Sequence, residues 1–322
     1  MKIGIALPNY ANEGWRMPTT ALREFAIRAE SLGFAGLWAT DHLCQPPSRN
    51  YSRLEPFQTL SYCGGVTTSI PLATGILVLP IRHPVHVAHQ AATLQHLASG
   101  RFTLGVGAGW VRAEYEATEI PFAERGPRFS ESLSLVSQLL TGQSVTHQGR
   151  FYDIGEITIE ANSRYRPRIV VGGGGVGEGS DRRVPKPVKE RILRYADGWI
   201  AAPGPIHSIT SDWYEIETFL HDNGRDPDSL DRIALNWLHL ETGVDQATAR
   251  EIQQRVLREE RGGTRDHVTT SMARHITGSI DDVRSTIDDY AEIGFDELVL
   301  GPTTTDPDAV IDQLSTWSQY LQ

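Results

Sequence analysis

The chain has 322 residues, longer than most single domains but a length that α/β barrels reach around one core. With 39% hydrophobic and 22% charged residues it is an ordinary globular sequence, which excludes disorder as a global description, and no run approaches the ~20 apolar residues of a membrane span. The net charge of −10 disfavours nucleic acid and anionic membrane as partners, so any anionic ligand must meet a local basic cluster.

Short apolar strands alternate with amphipathic helices, the mark of βαβ units around a parallel sheet. Eight strands are expected, beginning near Ile3, Leu37, Leu72, Phe102, Ile169, Gly198, Ile233 and Glu297. The first lies in MKIGIALPNY, whose apolar run stops at Pro8, too short for the core of a signal peptide. A helix follows over Ala21 to Leu32, with Leu22, Phe25, Ala26 and Ala29 on one stripe and Gly33 as its stop. After the second strand, ATDHLCQPP puts Asp41 and His42 where barrel enzymes place catalytic groups. An imidazole titrates near neutrality, which makes His42 the candidate proton carrier, against the alternative of a structural histidine bonded to nearby backbone. Asp41 either orients that ring or caps the turn, and the supporting role is favoured. Cys44 and Cys63 are the only cysteines, too few for a disulfide framework and not in a CxxC motif, so a cytoplasmic enzyme is expected.

Thr74 to Leu79 reads as a buried strand interrupted by Gly75, the sign of a bulge or of close approach to a ligand. The third helix opens at Pro84, with Val85, Ala88, Ala92 and Leu94 expected inward and Gly100 beyond its end. His83, His86 and His89 mimic metal-ligand spacing, but no carboxylate or cysteine accompanies them, and no metal site is expected. The fourth strand runs into LGVGAGW, where Gly105, Gly107 and Gly109 alternate before Trp110, a bare backbone against which a bulky ring could lie. Thr141 to Arg168 reads as an excursion carrying a short hairpin. The fifth strand ends in IVVGGGGVGEG, and the run Gly172, Gly173, Gly174, Gly175 and Val176 offers backbone N–H groups suited to a phosphate. Arg182, Arg183, Lys186, Lys189 and Arg191 follow near a helix start, where cations oppose the macrodipole, so an anion site is expected. Trp213, Tyr214 and Trp237 are expected in the core rather than on a substrate wall. Asp245 to Thr277 reads as an extra helix and a mobile loop that includes REERGGTRDH, before the last two helices flank the strand ELVLGP. No hydrolase motif of the GxSxG or HExxH kind is present.

Taken together, SLGFAGLWATDH, ATGILVLPIRHP, LASGRFTLGVGAGW, PFAERGPRF, IVVGGGG and RYADGWI resemble the bacterial luciferase-like superfamily of flavin- and deazaflavin-dependent oxidoreductases, in order and over nearly the whole chain. The resemblance implies a single-domain TIM barrel, (β/α)8, over 1–322, with insertions near 141–168 and 245–277. It implies a non-proline cis peptide at Gly75–Ile76 behind the cofactor ring, His42 near the reactive ring edge, and a phosphate tail at Gly172 to Gly175. PFAERGPRF and LGVGAGW look most similar to the subgroup that uses coenzyme F420, although some of its dehydrogenases carry a glutamate where this chain has Trp110. The resemblance therefore implies hydride transfer between F420 and an organic small molecule, with Asp41, Gly75, Ile76, Gly107, Gly109 and Trp110 around the ring. A reduced-FMN monooxygenase is the alternative, a non-catalytic subunit the second, and a homodimer is the expected assembly.

Overall fold

The computed structural model describes residues 1–12, 17–44, 51–159, 166–177, 181–261, 272, 275–304 and 306–321. The eight expected strands all form: β1 (Lys2–Ala6), β2 (Leu37–Ala39), β3 in two halves (Leu72–Thr74 and Leu77–Val78), β4 (Phe102–Gly107), β5 (Arg168–Gly172), β6 (Gly198–Ala201), β7 (Asp231–Leu240) and β8 (Glu297–Pro302). Each pairs in parallel with the next, and β8 returns to β1 through Lys2↔Glu297 and Ile5↔Leu300, so the sheet closes into a barrel. Closure satisfies every strand's backbone and leaves no sheet edge among these eight.

Side-chain alternation divides two apolar layers. Ala6, Trp38, Ala73, Val170, Ile200, Ile233, Leu235 and Val299 fill the barrel's inside. Residues of opposite parity, such as Ile5, Leu37, Leu72, Leu104 and Val171, face outward onto the helices. At the N-terminal end of the barrel the Trp38 indole N–H donates to Glu297 at 2.8 Å, and burial pushes that carboxyl up to about 7.

Helix α1 (Thr19–Ser31) buries the expected Leu22, Phe25, Ala26 and Ala29, and Gly33 follows at φ 80°, a left-handed turn that favours glycine. Helix α2 (Pro56–Val66) precedes β3. Helix α3 (Pro84–Leu97) is rotated from the expected face. It buries Val87, Ala88, Ala91 and Leu94, while Val85 and Ala92, seven residues apart on the stripe's margin, are half-buried. Helices α4 (Arg112–Ala117) and α5 (Arg125–Leu139) follow β4, and α6 (Lys186–Tyr195) and α7 (Ile206–Asp222) flank β6. Neighbours on α7 point about 100° apart, so Trp213 enters the core while Tyr214 is exposed, contrary to the expectation for it. Trp237 is half-buried, with the Arg53 guanidinium 5.7 Å from its ring centroid.

The excursion after α5 is the expected hairpin, Val145–Gln148 against Asp153–Ile157. Within Asp245 to Thr277 lies α8 (Gln246–Arg261), and Ile276–Gly278 pairs with the upper end of β7. Residues 262–267 of the polar patch, 45–47 of ATDHLCQPP and 178–180 after the glycine run lie outside the described residues. Helices α9 (Ile280–Glu292) and α10 (Pro307–Leu321) complete the ring. Among the described residues no helix is long and apolar enough to cross a membrane.

Candidate active site

The C-terminal ends of β2, β3, β4 and β5 are neighbours around the barrel and gather most of the residues singled out above. The Gly75–Ile76 peptide is cis and divides β3. Gly75 N–H donates to the Ala39 carbonyl at 2.8 Å, which ties the break to β2.

The glycines around this break make room for protein rather than standing bare. A Cβ on Gly105 would strike the Thr74 carbonyl, one on Gly107 would come 2.8 Å from the Ile76 side chain, and one on Gly172 would come 3.1 Å from it. Gly109, at φ 66°, faces Val78 at 2.6 Å in the same way. The expected bare backbone after β4 is thus covered in part by the bulge of β3. What stays half-exposed is a ledge running across three strand ends: Gly75 and Ile76, then Ala108 and Gly109, then Gly172 to Gly175.

His42 stands beside this ledge, with 13% of its side chain exposed. Its Nδ1 lies 3.3 Å from Oε1 of Glu114, and the same oxygen accepts the Leu43 N–H at 2.7 Å. Glu114 comes from α4 and is wholly buried. Its other oxygen, Oε2, has no hydrogen-bond partner among the described residues. Where Oε1 accepts from Nδ1–H, a neutral imidazole has Nε2 as its acceptor. Tyr115, next on α4, donates its hydroxyl to the Ala108 carbonyl and anchors the helix to the end of β4. Trp110 is 59% exposed, and its ring meets the His42 ring edge-on, with centroids 5.8 Å apart.

Asp41 does not orient His42. It is buried, and both its oxygens are engaged: Oδ2 accepts from Val78 N–H at 2.8 Å and Arg82 Nη1 at 2.7 Å, and Oδ1 accepts from Arg82 Nη2 at 3.0 Å. Its carboxylate therefore fixes the second half of β3. The carboxylate that does reach the imidazole is Glu114, which no motif in the sequence marks. Its signal is only a helix starting just past LGVGAGW, and a single glutamate 72 positions from a histidine carries no periodicity.

The basic run after β5 is largely met by carboxylates of α6 and α7. Arg182 donates from Nε to Asp212 Oδ1 at 2.9 Å and from Nη2 to Oδ2 at 2.7 Å. Lys189 pairs with Glu215 at 3.4 Å and Lys186 with Glu190 at 3.6 Å. Arg191 is buried against Ser130, to which its Nε donates at 2.9 Å, and burial pulls its guanidinium down to about 10. Two of the run's backbone donors are also engaged. Gly175 N–H donates to Asp212 Oδ2 at 2.8 Å, and Val176 N–H donates to the Arg183 carbonyl at 2.9 Å. Asp212 and Glu215 lie on α7, well downstream of the run, so the local excess of cations concealed their partners.

With this geometry in place, the chain matches the family model described as luciferase-like monooxygenase over residues 1–297. An F420-dependent hydroxymycolic acid dehydrogenase of Mycobacterium tuberculosis is 32% identical over 72% of this chain, and the match spans 62% of that relative's length. Among solved structures, the monooxygenase RslO1 from Streptomyces bottropensis superposes with a TM-score of 0.79 at 20% identity, covering 100% of this chain and 98% of that one. An F420-dependent secondary alcohol dehydrogenase in complex with an F420-acetone adduct also gives 0.79, at 19% identity, covering 99% of this chain and 98% of that one. At such identities the two superpositions establish the barrel alone.

Proposed function

Because this chain belongs to the luciferase-like monooxygenase family, we propose that its ledge and His42 serve one flat redox ring, with coenzyme F420 as cofactor and hydride transfer to or from a small organic substrate as the reaction. The observation that carries the reading is the meeting of three half-exposed, glycine-rich strand ends with a histidine held by a buried carboxylate. A planar ring needs backbone it can approach closely, and Ile76, packed between Gly107 and Gly172, is the side chain that would support it. The names of two relatives point the same way, the hydroxymycolic acid dehydrogenase and the secondary alcohol dehydrogenase.

When bound, a deazaflavin supplies a ring carbon that gives or takes hydride. The chain supplies the rest. Glu114 holds the His42 ring by Nδ1, Nε2 is left to hold or release the substrate's proton, and Trp110 walls the open side beside it. Fixing the imidazole before the substrate arrives removes a reorganisation cost from the reaction.

The second reading, a reduced-FMN monooxygenase, is supported by the family description and by the likeness to RslO1. Equilibrium titration of the purified protein with F420 and with FMN, each oxidised and reduced and followed by cofactor fluorescence, separates the two. Tighter binding of F420 is expected. Preference for reduced FMN would overturn the hydride-transfer reading in favour of oxygen insertion.

A further inference from the structure

We propose that Asp212 is a resident anion in a seat that fits a phosphate ester, and that it competes with any phosphorylated ligand for Gly175 and Arg182. Three N–H donors converge on its carboxylate: Gly175 N at 2.8 Å, Arg182 Nε at 2.9 Å and Arg182 Nη2 at 2.7 Å. A guanidinium fork and a backbone N–H aimed at two oxygens of one anion are the donor set that recognises phosphate as readily as carboxylate. The two glycines exist to admit this anion, since a Cβ on Gly174 or Gly175 would lie 2.5 Å from an Asp212 oxygen. Only the donor side of the seat is open. Asp212 is buried, whereas 27% of the Arg182 side chain is exposed and Gly172 to Gly175 are half-buried at the end of the ledge.

The inference rests on the reading of the ledge as a ring site, because it makes the seat the place where the ring's phosphate-bearing tail arrives. A tail phosphate must either displace Asp212, leaving a buried carboxylate without its partners, or lie beside it at like charge. In both cases the phosphate adds little to affinity, and binding is carried by the ring. Of the nearby cations, Lys186 faces Glu190 at 3.6 Å and Lys189 faces Glu215 at 3.4 Å.

The test compares ligands with and without the phosphate on the full chain: FMN against riboflavin, and F420 against its chromophore lacking the phosphate. The wild type is expected to bind the two members of each pair within about threefold. Asp212→Asn keeps the side chain's shape while removing its charge. It is expected to tighten the phosphorylated member by about tenfold, the scale of one charge-assisted contact, and to leave the other unchanged. Adding Arg182→Gln should abolish the gain. Asp212→Ser, checked by circular dichroism, serves as the second variant should the asparagine disturb folding. A wild type that prefers the phosphorylated member by about a hundredfold, or a D212N protein that loses it, would overturn the proposal and make Asp212 a supporting arm of the seat. If neither ring system binds the wild type, the ring reading fails by itself. Inorganic phosphate, followed by ³¹P line broadening, then decides for the seat: broadening with D212N and not with wild type supports it, and equal spectra refute it.

Discussion

Glu114 illustrates how much chemistry one side chain can set without a motif. Its Oε1 is shared between the Leu43 N–H and His42, so it positions both the loop after β2 and the imidazole that the loop carries. His42→Ala is expected to lower turnover by about a hundredfold or more, the usual contribution of a positioned proton carrier, with cofactor affinity largely intact. Unchanged turnover in steady-state kinetics would remove His42 from the mechanism. Glu114→Gln keeps an acceptor for Leu43 but ceases to favour Nδ1–H on the ring. A loss of about ten- to a hundredfold in turnover is expected, with ¹⁵N shifts of His42 reporting a mixed tautomer in the ligand-free protein. Native-like shifts in that variant would show that the ring is held by something other than the carboxylate.

Among the elements, β3 and β4 are the pair on which the site depends. Gly105 lies where a methyl group would meet the Thr74 backbone, and a carbonyl cannot move aside as a side-chain tip can. Gly105→Ala is therefore expected to destabilise the fold by about 3 kcal/mol, a drop of roughly 4 °C in Tm by calorimetry. Gly65, near the end of α2, would carry a methyl group with nothing within 4 Å of it. Gly65→Ala should raise stability by about 0.5 kcal/mol through helix propensity alone. A Gly105→Ala protein as stable as the wild type would mean that the two strands yield more easily than their register implies. The strands themselves are legible in the sequence because parallel barrel strands are short, continuously apolar and separated by helices with clear stops. The glycine-bearing turns and His42 are legible for a related reason, since each departs from the pattern around it. Partners supplied by distant elements are not: Arg82 for Asp41, Glu114 for His42, and Asp212 for Arg182 all lie outside any local period. The same gap made the basic run look like a free anion site, when most of its charge is met by α7 and by α6 itself.

Across the whole molecule, two buried groups pull stability in opposite directions with pH. Glu297, at the N-terminal end of the barrel, is raised by burial from 4.5 to about 7, so the folded chain binds the extra proton and stability falls as pH rises through that window. His239, near the other end of β7, is lowered by burial from 6.5 to about 4, so its contribution is lost as pH falls through that window. Each amounts to roughly 3 kcal/mol at about 1.36 kcal/mol per pH unit, and between about pH 4.5 and 6.5 their slopes offset each other. Glu297→Gln should remove one slope: relative to wild type, its stability in urea rises steadily from about pH 4.5 to 7 and then levels off. A difference that does not change with pH would mean that Glu297 titrates normally in the fold.

The pairing of Lys2 with Glu297 also bears on how the chain is made. At synthesis rates of about 5–20 residues per second, β1 waits roughly fifteen seconds or more for β8 to be polymerised. Until then its outer edge is an unpaired row of N–H and C=O groups beside an unfinished apolar interior. Contacts so far apart in sequence make closure a late, slow step, and an emerging barrel of this kind is exposed to mispairing with its neighbours on a polysome. The ledge inherits the same timetable. Its three glycine-rich ends are all made by Gly175, but the barrel that holds them in place closes only when β8 pairs with β1, so cofactor can act as a stabilising ligand of the closed barrel only once β8 has been synthesised.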